Sequence, residues 1–542
     1  MSDADGSPGM YAPPRKTAWP FMQRLLDGIE RIGNRVPHPV VIFVILTVIV
    51  IVLSHIFWLA GAHATYEVIN PKTDAVETTT TTARSLLSFD GLRFMFTGIV
   101  PNLMGFNARG VIIVAMVGVG VAESAGLINT LIRKLVVVSP PWALCYILVL
   151  VGIISSIASD AGYLVLIPLG ATAFISVGRH PMAGLAAAFA AVAGAFTVNI
   201  LITPTDGILT EITNDAIHLA NPALSIDLTA NVWFSIASVV LLTFVIVLIT
   251  ERTVEPRLGA YAGEQVSEEE PALTAEESRG LRFALYGLIG VIVFLLLLLL
   301  SPGAPLRDPD TGAIFGNSPF MSSLIVTISL IFFVCGAAYG LGARTMQGSG
   351  NVVAAMTKAI ASLSGLILLL LVISQFLAYF NYSNMAPLAA VEPSEVLVHM
   401  NLDPTWLLFA FIDVTLLLDA IITGAVAKWA LFAPLFIPLL MRLHVMPDAV
   451  LAAYRVADSP VNAITPLNAY FAMIVVFCQK YQSDAGVGTV IALMLPYVVI
   501  LAAVWIVLFL AWQMFGLPRG FQGCGAAPTS RSRHPGFAER PS

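Results

Sequence analysis

The sequence predicts an all-α polytopic membrane protein with about nine transmembrane helices and two opposed re-entrant hairpins, arranged as inverted repeats. Of its 542 residues, 58% are hydrophobic and only 11% are charged, whereas soluble proteins carry about 25% charged residues. The apolar residues form long blocks, and about 20 of them suffice for one helix to cross a bilayer core. A soluble enzyme is therefore excluded. The net charge of -6 and the lack of a basic stripe argue against a nucleic-acid partner.

Nine apolar blocks have the length of a membrane span. We expect helices at 39–60, 110–130, 182–203, 232–250, 282–301, 320–341, 360–380, 449–478 and 488–512. Two further stretches, 142–177 and 405–440, are interrupted at their middle by Ser159–Gly162 and by Asp419–Gly424. Non-helical backbone at membrane depth is tolerated only where protein or a cavity surrounds it, which favours hairpins. A pair of full crossings also returns the chain to its starting side, so loop charges do not separate the two interpretations.

Basic residues before the first helix predict a cytoplasmic N terminus by the positive-inside rule; they are Arg15, Lys16, Arg24, Arg31 and Arg35. The scattered cysteines form no zinc or disulfide pattern. The predicted organisation is a cytoplasmic segment (1–38), a first helix with an external loop (39–109), a first repeat (110–250), a cytoplasmic linker (251–281), scaffold helices (282–349), a second repeat (350–512) and a disordered tail (513–542).

A short motif occurs once in each half of the chain. Asn199 is followed by Thr203 and a proline, and Asn462 is followed by Thr465 and Pro466. Proline lacks an N–H and disfavours helix in the residue before it, so nearby carbonyls lose their partners. Together with the Asn and Thr oxygens, these carbonyls would suit a sodium ion. The alternative is a proline kink whose polar side chains satisfy the backbone. Repeats with discontinuous helices are typical of secondary transporters, which bind substrate near mid-membrane.

Charged residues inside apolar segments are costly and normally face a cavity or a partner. The candidates are Glu123, Asp160, Asp413, Asp419, Lys428, Arg455 and Asp458. Arg455 and Asp458 stand three residues apart on one predicted helix, where they could form a structural ion pair. In the functional alternative, Arg455 binds a substrate carboxylate and Asp458 holds the guanidinium in place. Trp429 is either part of a lipid-facing belt or a stacking surface for an aromatic substrate.

Several of these segments resemble the p-aminobenzoyl-glutamate transporter (AbgT) family over about residues 20–515. The matching segments are 159–163 (SDAGY), 427–430 (AKWA) and 453–459 (AYRVADS), followed by the Asn462 and Pro466 motif. The resemblance implies a homodimer, transport of aminobenzoyl-glutamate, export of sulfonamides, and coupling to sodium or protons. It implies functional roles for Asp160, Trp429, Pro447, Arg455, Asp458 and Pro466.

The second hairpin departs from that family's pattern. Family members carry two serines before the Lys-Trp pair and an asparagine ten residues before the tryptophan, whereas this chain has Gly424, Val426 and Asp419 at these positions. We hypothesise that Asp419 alters the ion or the ligand, because a carboxylate buried at membrane depth is able to carry a proton. Alternatively, Asp419 pairs with Lys428 or caps the hairpin tip.

The sequence therefore predicts an ion-coupled secondary transporter, not an enzyme, for a small aromatic carboxylate. No protease motif and no phosphate-binding loop is present, and no cofactor is expected. The alternative is a sodium- or proton-coupled carrier of di- or tricarboxylates on the same architecture. The predicted substrate site consists of Asp160, Asp419, Gly424, Trp429, Pro447, Arg455, Asp458 and Pro466. The predicted ion site, with sodium as the candidate metal, consists of Asp160, Asn199, Thr203, Asn462 and Thr465.

Overall fold

The computed structural model confirms the all-α class. It describes residue 37 and residues 39–521, except for gaps at 70–75, 107, 138, 159–161, 223, 262–272, 302, 310, 315–317, 386–387, 389–402, 420–423, 466 and 469. Seven helices in this part of the chain are long and apolar enough to span a membrane: Pro39–Leu59, Val232–Leu258, Ala275–Leu300, Leu324–Ala343, Ser364–Tyr382, Ala425–Arg442 and Val487–Met514. Six of them match predicted spans, and the other is the second arm of the second predicted hairpin.

The N-terminal part contains α1 (Pro39–Leu59), a hairpin of β1 (His63–Ile69) and β2 (Val76–Thr82), then α2 (Phe89–Gly105), α3 (Ala108–Ala125) and α4 (Leu127–Val137). Helix α2 was missed by the sequence analysis, because Asp90, Arg93 and Pro101 reduce its apolar character. The predicted helix at 110–130 is wrong at its end, where Gly126 turns the chain with a φ of 90°. Helices α2 and α3 form a bent pair that would make an eighth span if it crosses as one unit.

The first hairpin lies where the sequence predicted it. Helix α5 (Leu144–Ile154) continues as a 3₁₀ turn (Ser155–Ala158), and a π turn (Gly162–Leu166) leads into α6 (Ile167–Ser176). Both arms pack against α7 (Pro181–Gly194). At the tip, a Cβ atom on Gly162 would clash with Ser155 Oγ, so the close return of the chain needs glycine there.

The predicted span at 182–203 is a helix followed by unwound chain. Helix α7 ends at Gly194, and α8 (Pro204–His218) lies between the predicted spans at 182–203 and 232–250, before α9 (Val232–Ile249). A capping box between Thr203 and Asp206, with Pro204 in the first turn, starts α8. The expected discontinuity at the first Asn-Thr-Pro motif is therefore present.

The region predicted to form a scaffold contains the long helices α10 (Ala275–Leu300) and α11 (Leu324–Ala343). They pack on each other, and α11 also packs tightly on α3. A Cβ atom on Gly118 of α3 would clash with the backbone oxygen of Ser329 in α11. Small residues thus allow these two helices to approach at backbone distance, as is common between membrane helices.

The second repeat follows the same order as the first. It contains α12 (Ser349–Ser362), α13 (Ser364–Tyr382), the hairpin arms α14 (Pro404–Asp419) and α15 (Ala425–Arg442), then α16 (Pro447–Asp458), a 3₁₀ turn (Pro460–Ala463), α17 (Phe471–Gln479) and α18 (Val487–Met514). Both hairpin arms pack on α16, as the arms of the first hairpin pack on α7. The predicted span at 449–478 is thus broken into α16 and α17, because Pro460 interrupts the helix.

Candidate functional site

The two broken helices meet at the ends of α7 and α16. Thr197, in the unwound chain after α7, donates from its backbone N to Ser459 Oγ at 3.1 Å. Its Oγ1 donates to the carbonyl of Arg455 at 2.9 Å and lies 2.6 Å from Ser459 Oγ. All three residues are buried. Some backbone groups at each break are therefore satisfied by the other repeat, and these hydrogen bonds join the two breaks.

Arg455 lies at this junction and is 3% exposed. Its Nη1 donates to the carbonyl of Thr197 at 2.7 Å and forms a salt bridge with Asp206 Oδ1. The other oxygen of Asp206 accepts hydrogen bonds from Thr203 N and Oγ1, both at 2.7 Å. The expected pairing of Arg455 with Asp458 is wrong, because the Arg455 side chain reaches across to the first repeat. Its Nε has no hydrogen-bond partner among the described residues.

A second buried group of charges lies between α14, α15 and α16. Lys428 forms salt bridges with Asp419 and with Asp458, the latter at 2.7 Å, and all three side chains are 0% exposed. Tyr454 Oη lies 2.7 Å from Asp458 Oδ1 and 2.6 Å from the carbonyl of Ala425. The pairing of Asp419 with Lys428 was one of the alternatives drawn from the sequence. With both carboxylates ionised, one positive and two negative charges leave this group with one uncompensated negative charge.

Trp429 is completely buried and does not belong to a lipid-facing belt. Its Nε1 donates to Thr213 Oγ1 at 2.9 Å, and its ring lies 4.5 Å from the ring of Tyr454. Thr213 belongs to α8, so Trp429 joins the second hairpin to the broken helix of the first repeat. Gly424 is the N-cap residue of α15 and has a φ of 97°, a conformation that favours glycine. Pro447 occupies the first turn of α16, where proline costs no hydrogen bond.

The four described residues predicted to bind an ion have hydrogen bonds within the protein. Asn199 Nδ2 donates to Ser156 Oγ at 2.9 Å and to the carbonyl of Ile154 at 3.1 Å, so it binds the end of the first arm of the first hairpin. Asn462 Nδ2 donates to the carbonyl of Asp458 at 2.9 Å. Thr203 caps α8, and the buried Thr465 accepts from Leu467 N at 3.4 Å. These contacts fit the alternative in which polar side chains satisfy backbone groups at the breaks.

Two predicted residues, Asp160 and Pro466, lie outside the described residues. Four residues of the network were not singled out from the sequence: Thr197, Asp206, Tyr454 and Ser459. Of these, Asp206 carried a visible signal, because it stands three residues after Thr203 in a capping-box pattern. Among the described residues, no cluster of three His, Cys, Asp or Glu side chains could hold a metal ion.

Comparison with known proteins decides the family. The model of the AbgT putative transporter family matches residues 24–526. The chain belongs to the AbgT family. It is 35% identical over 500 residues to the p-aminobenzoyl-glutamate transport protein of Escherichia coli (strain K12), covering 92% of this chain and 96% of that one. The AbgT-family relatives are transporters and not enzymes, so this chain is a membrane transporter.

Two solved AbgT-family structures share the fold. The YdaH transporter of Alcanivorax borkumensis, reported to have an unusual topology, is 40% identical, with a TM-score of 0.83 over 89% of this chain and 100% of YdaH. MtrF of Neisseria gonorrhoeae, reported to illuminate a class of antimetabolite efflux pumps, is 36% identical, with a TM-score of 0.85 over 90% of this chain and 97% of MtrF. The order of hairpins and broken helices described above is therefore that of the AbgT family.

Proposed function

We propose that this protein is an ion-coupled secondary transporter of p-aminobenzoyl-glutamate or related aromatic carboxylates, in a bacterial inner membrane. The Escherichia coli relative, named for p-aminobenzoyl-glutamate, supports the substrate. The likeness to MtrF supports export of antimetabolites, and the family resemblance points to sulfonamides among them. A homodimer with a cytoplasmic N terminus is part of the same proposal and follows the family resemblance and the positive-inside rule.

Arg455 is the single observation on which the proposal depends. A buried guanidinium is costly unless it is paired, and it is suited to bind a carboxylate through two parallel hydrogen bonds. Here one nitrogen is held by Asp206 and by the Thr197 carbonyl, while Nε has no partner among the described residues. A substrate carboxylate would bind to Arg455 at the point where the two broken helices meet. Substrate binding would thereby affect both repeats at once.

The coupling ion is proposed to act at Asp419, Lys428 and Asp458. Their uncompensated negative charge is unfavourable in a fully buried site, so a proton or a sodium ion should accompany it. Arg455 and Asp206 form a neutral pair and do not offset this charge. Asp419 is the residue that introduces the extra carboxylate, so the Asp419→Asn variant should transport with a weaker dependence on pH or on sodium.

Alternating access would arise from the two hairpins and their broken helices. Each hairpin packs through both arms on the broken helix of its own repeat, and α15 of the second hairpin also packs on α8 of the first repeat. The hairpins and broken helices would therefore move together against the rest of the protein. The hydrogen bonds that join Thr197 to Arg455 and Ser459 cross between the repeats and would rearrange during the transition. In this proposal one hairpin closes each side of the membrane in turn.

Uptake of labelled p-aminobenzoyl-glutamate into proteoliposomes tests the function. A sodium gradient and a proton gradient are imposed separately, and folded protein is verified by size-exclusion chromatography of the solubilised vesicles. Uptake driven by one gradient would support the proposal and identify the ion. Absence of uptake under both gradients, with counterflow also absent, would refute the substrate assignment. Uptake abolished by excess succinate or citrate but not by benzoyl-glutamate would favour the alternative di- or tricarboxylate carrier.

A further inference from the structure

A narrow cleft beside Arg455 is not explained by the interactions described so far. The space inside it measures about 10 Å³, and its walls come from the unwound chain after α7, the start of α8, the start of α9 and α16. Arg455, Asp206 and Asn231 line it. A cavity of this size holds about one water molecule. The cleft is therefore closed around the guanidinium in this conformation, and it has to widen before one end of a ligand enters it.

Asn231 is the unusual member of this cleft. It is 4% exposed, yet neither its Nδ2 nor its Oδ1 has a hydrogen-bond partner among the described residues. Asn231 is the N-cap residue of α9, where asparagine ordinarily accepts a hydrogen bond from the helix backbone, but its side chain makes no such bond. Buried carboxamides without partners are rare in native proteins, and such a group is commonly one that a ligand or a water molecule completes.

The unpaired groups in the cleft define what would complement them. Arg455 Nε and Asn231 Nδ2 are donors, and Asn231 Oδ1 is an acceptor. A complementary ligand offers two acceptor oxygens and one donor close together. The two oxygens of an α-carboxylate and the neighbouring amide N–H of an N-acyl amino acid have this arrangement. A simple dicarboxylate or an aromatic acid without the amide supplies no donor for Oδ1.

We propose that Asn231 recognises the N-acyl amino acid end of the substrate. Its Nδ2 donates to the α-carboxylate that Arg455 also binds, and its Oδ1 accepts from the amide N–H. This assignment rests on the proposed function and extends it by naming the substrate group that the site recognises. It makes Asn231 a specificity-determining residue, because a buried acceptor left unpaired penalises a ligand that lacks the donor.

An ester analogue of p-aminobenzoyl-glutamate, with oxygen in place of the amide N–H, provides the test. Binding of the amide and of the ester is measured on the purified full-length protein for wild type, Asn231→Ala and Asn231→Asp. The wild type should prefer the amide by roughly five- to tenfold. Asn231→Ala should lose that preference and should bind both compounds more weakly, because no Nδ2 remains to donate to the α-carboxylate. Asn231→Asp keeps an acceptor, so it should retain the preference but bind both compounds more weakly through repulsion of the carboxylate.

Asn221→Ala serves as the matched control, because Asn221 is an exposed asparagine in the same connection before α9. It should behave as the wild type with both compounds. A wild-type elution profile in size-exclusion chromatography and a wild-type Tm establish that Asn231→Ala is folded. A preference for the amide that survives in Asn231→Ala would overturn the assignment while leaving the proposed function intact. A wild-type protein that binds neither compound would overturn the proposed function and the assignment with it.

Discussion

Replacing Lys428 by methionine tests the buried charge group most severely. Lys428 is fully buried between Asp419 and Asp458, and methionine has a similar length but no charge. The substitution leaves two carboxylates in contact with the space that the ammonium group occupied. Each loses its only cation among the described residues, and the like charges then repel each other.

The magnitude follows from the geometry. At the 2.7 Å separation of Lys428 Nζ and Asp458 Oδ1, an effective dielectric constant of about 20 gives an attraction of about 6 kcal/mol. Part of this loss is offset, because burying the ammonium group no longer costs desolvation energy. Removing one partner of a buried pair typically leaves a net destabilisation of about 3–5 kcal/mol.

The assay is thermal unfolding in detergent, followed by size-exclusion chromatography, for three variants. Lys428→Met should lower the Tm most. Asp419→Asn should change it little, because this substitution leaves the neutral Lys428–Asp458 pair. The double variant should unfold at a higher temperature than Lys428→Met alone, since one of the unpaired carboxylates is gone. A Lys428→Met protein as stable as the wild type, or a double variant less stable than Lys428→Met, would refute this reasoning.

Three further predictions concern Arg455 and two glycines. Asp206→Asn removes the carboxylate that competes for Arg455, so the Kd for p-aminobenzoyl-glutamate should fall by roughly tenfold; a higher Kd would contradict the competition. Gly118→Ala forces α3 and α11 apart, so it should reduce the free energy of unfolding by about 1–3 kcal/mol and lower the Tm. Gly110→Ala on the same helix is the control: its Cβ atom would meet no atom within 4 Å, so the Tm should not fall. Gly424→Ala places an alanine at a φ of 97°. The backbone strain should reduce the free energy of unfolding by about 1–3 kcal/mol and lower the Tm; an unchanged Tm would contradict this strain.

Much of the architecture could be predicted because membrane insertion leaves a strong pattern in sequence. The interruptions at Ser159–Gly162 and Asp419–Gly424 located both hairpins, since a run of polar and small residues inside an apolar block favours a break in the helix at membrane depth. Helix α2 was missed by the sequence analysis, which relied mainly on hydropathy, because the polar first turn and the internal Pro101 of this helix reduce its hydropathy. Helix α8 was missed because its low apolarity resembles that of a loop, although the Thr203–Asp206 capping box is a sequence signal for the start of a helix.

The partners of the site residues were less predictable than the residues themselves. The charges at Lys428, Arg455 and Asp458 stood out because they are costly in a membrane. Spacing along one helix suggested that Arg455 pairs with Asp458, yet Arg455 pairs with Asp206, which lies 249 positions away in sequence. Local periodicity contains no information about such contacts, because they depend on how the two repeats pack. For the same reason Asn231 was not singled out from the sequence: its burial and its unpaired carboxamide are visible only in the folded structure.

The most direct test of the central claim is counterflow of labelled p-aminobenzoyl-glutamate in proteoliposomes without any ion gradient. Counterflow needs only a binding site that faces each side in turn, so it tests the Arg455 site and alternating access together. The wild type should accumulate label transiently when the vesicles are preloaded with unlabelled compound. Arg455→Ala, shown by chromatography to be folded, should accumulate none. Equal counterflow by the two proteins would contradict the assignment of Arg455 as the carboxylate-binding residue.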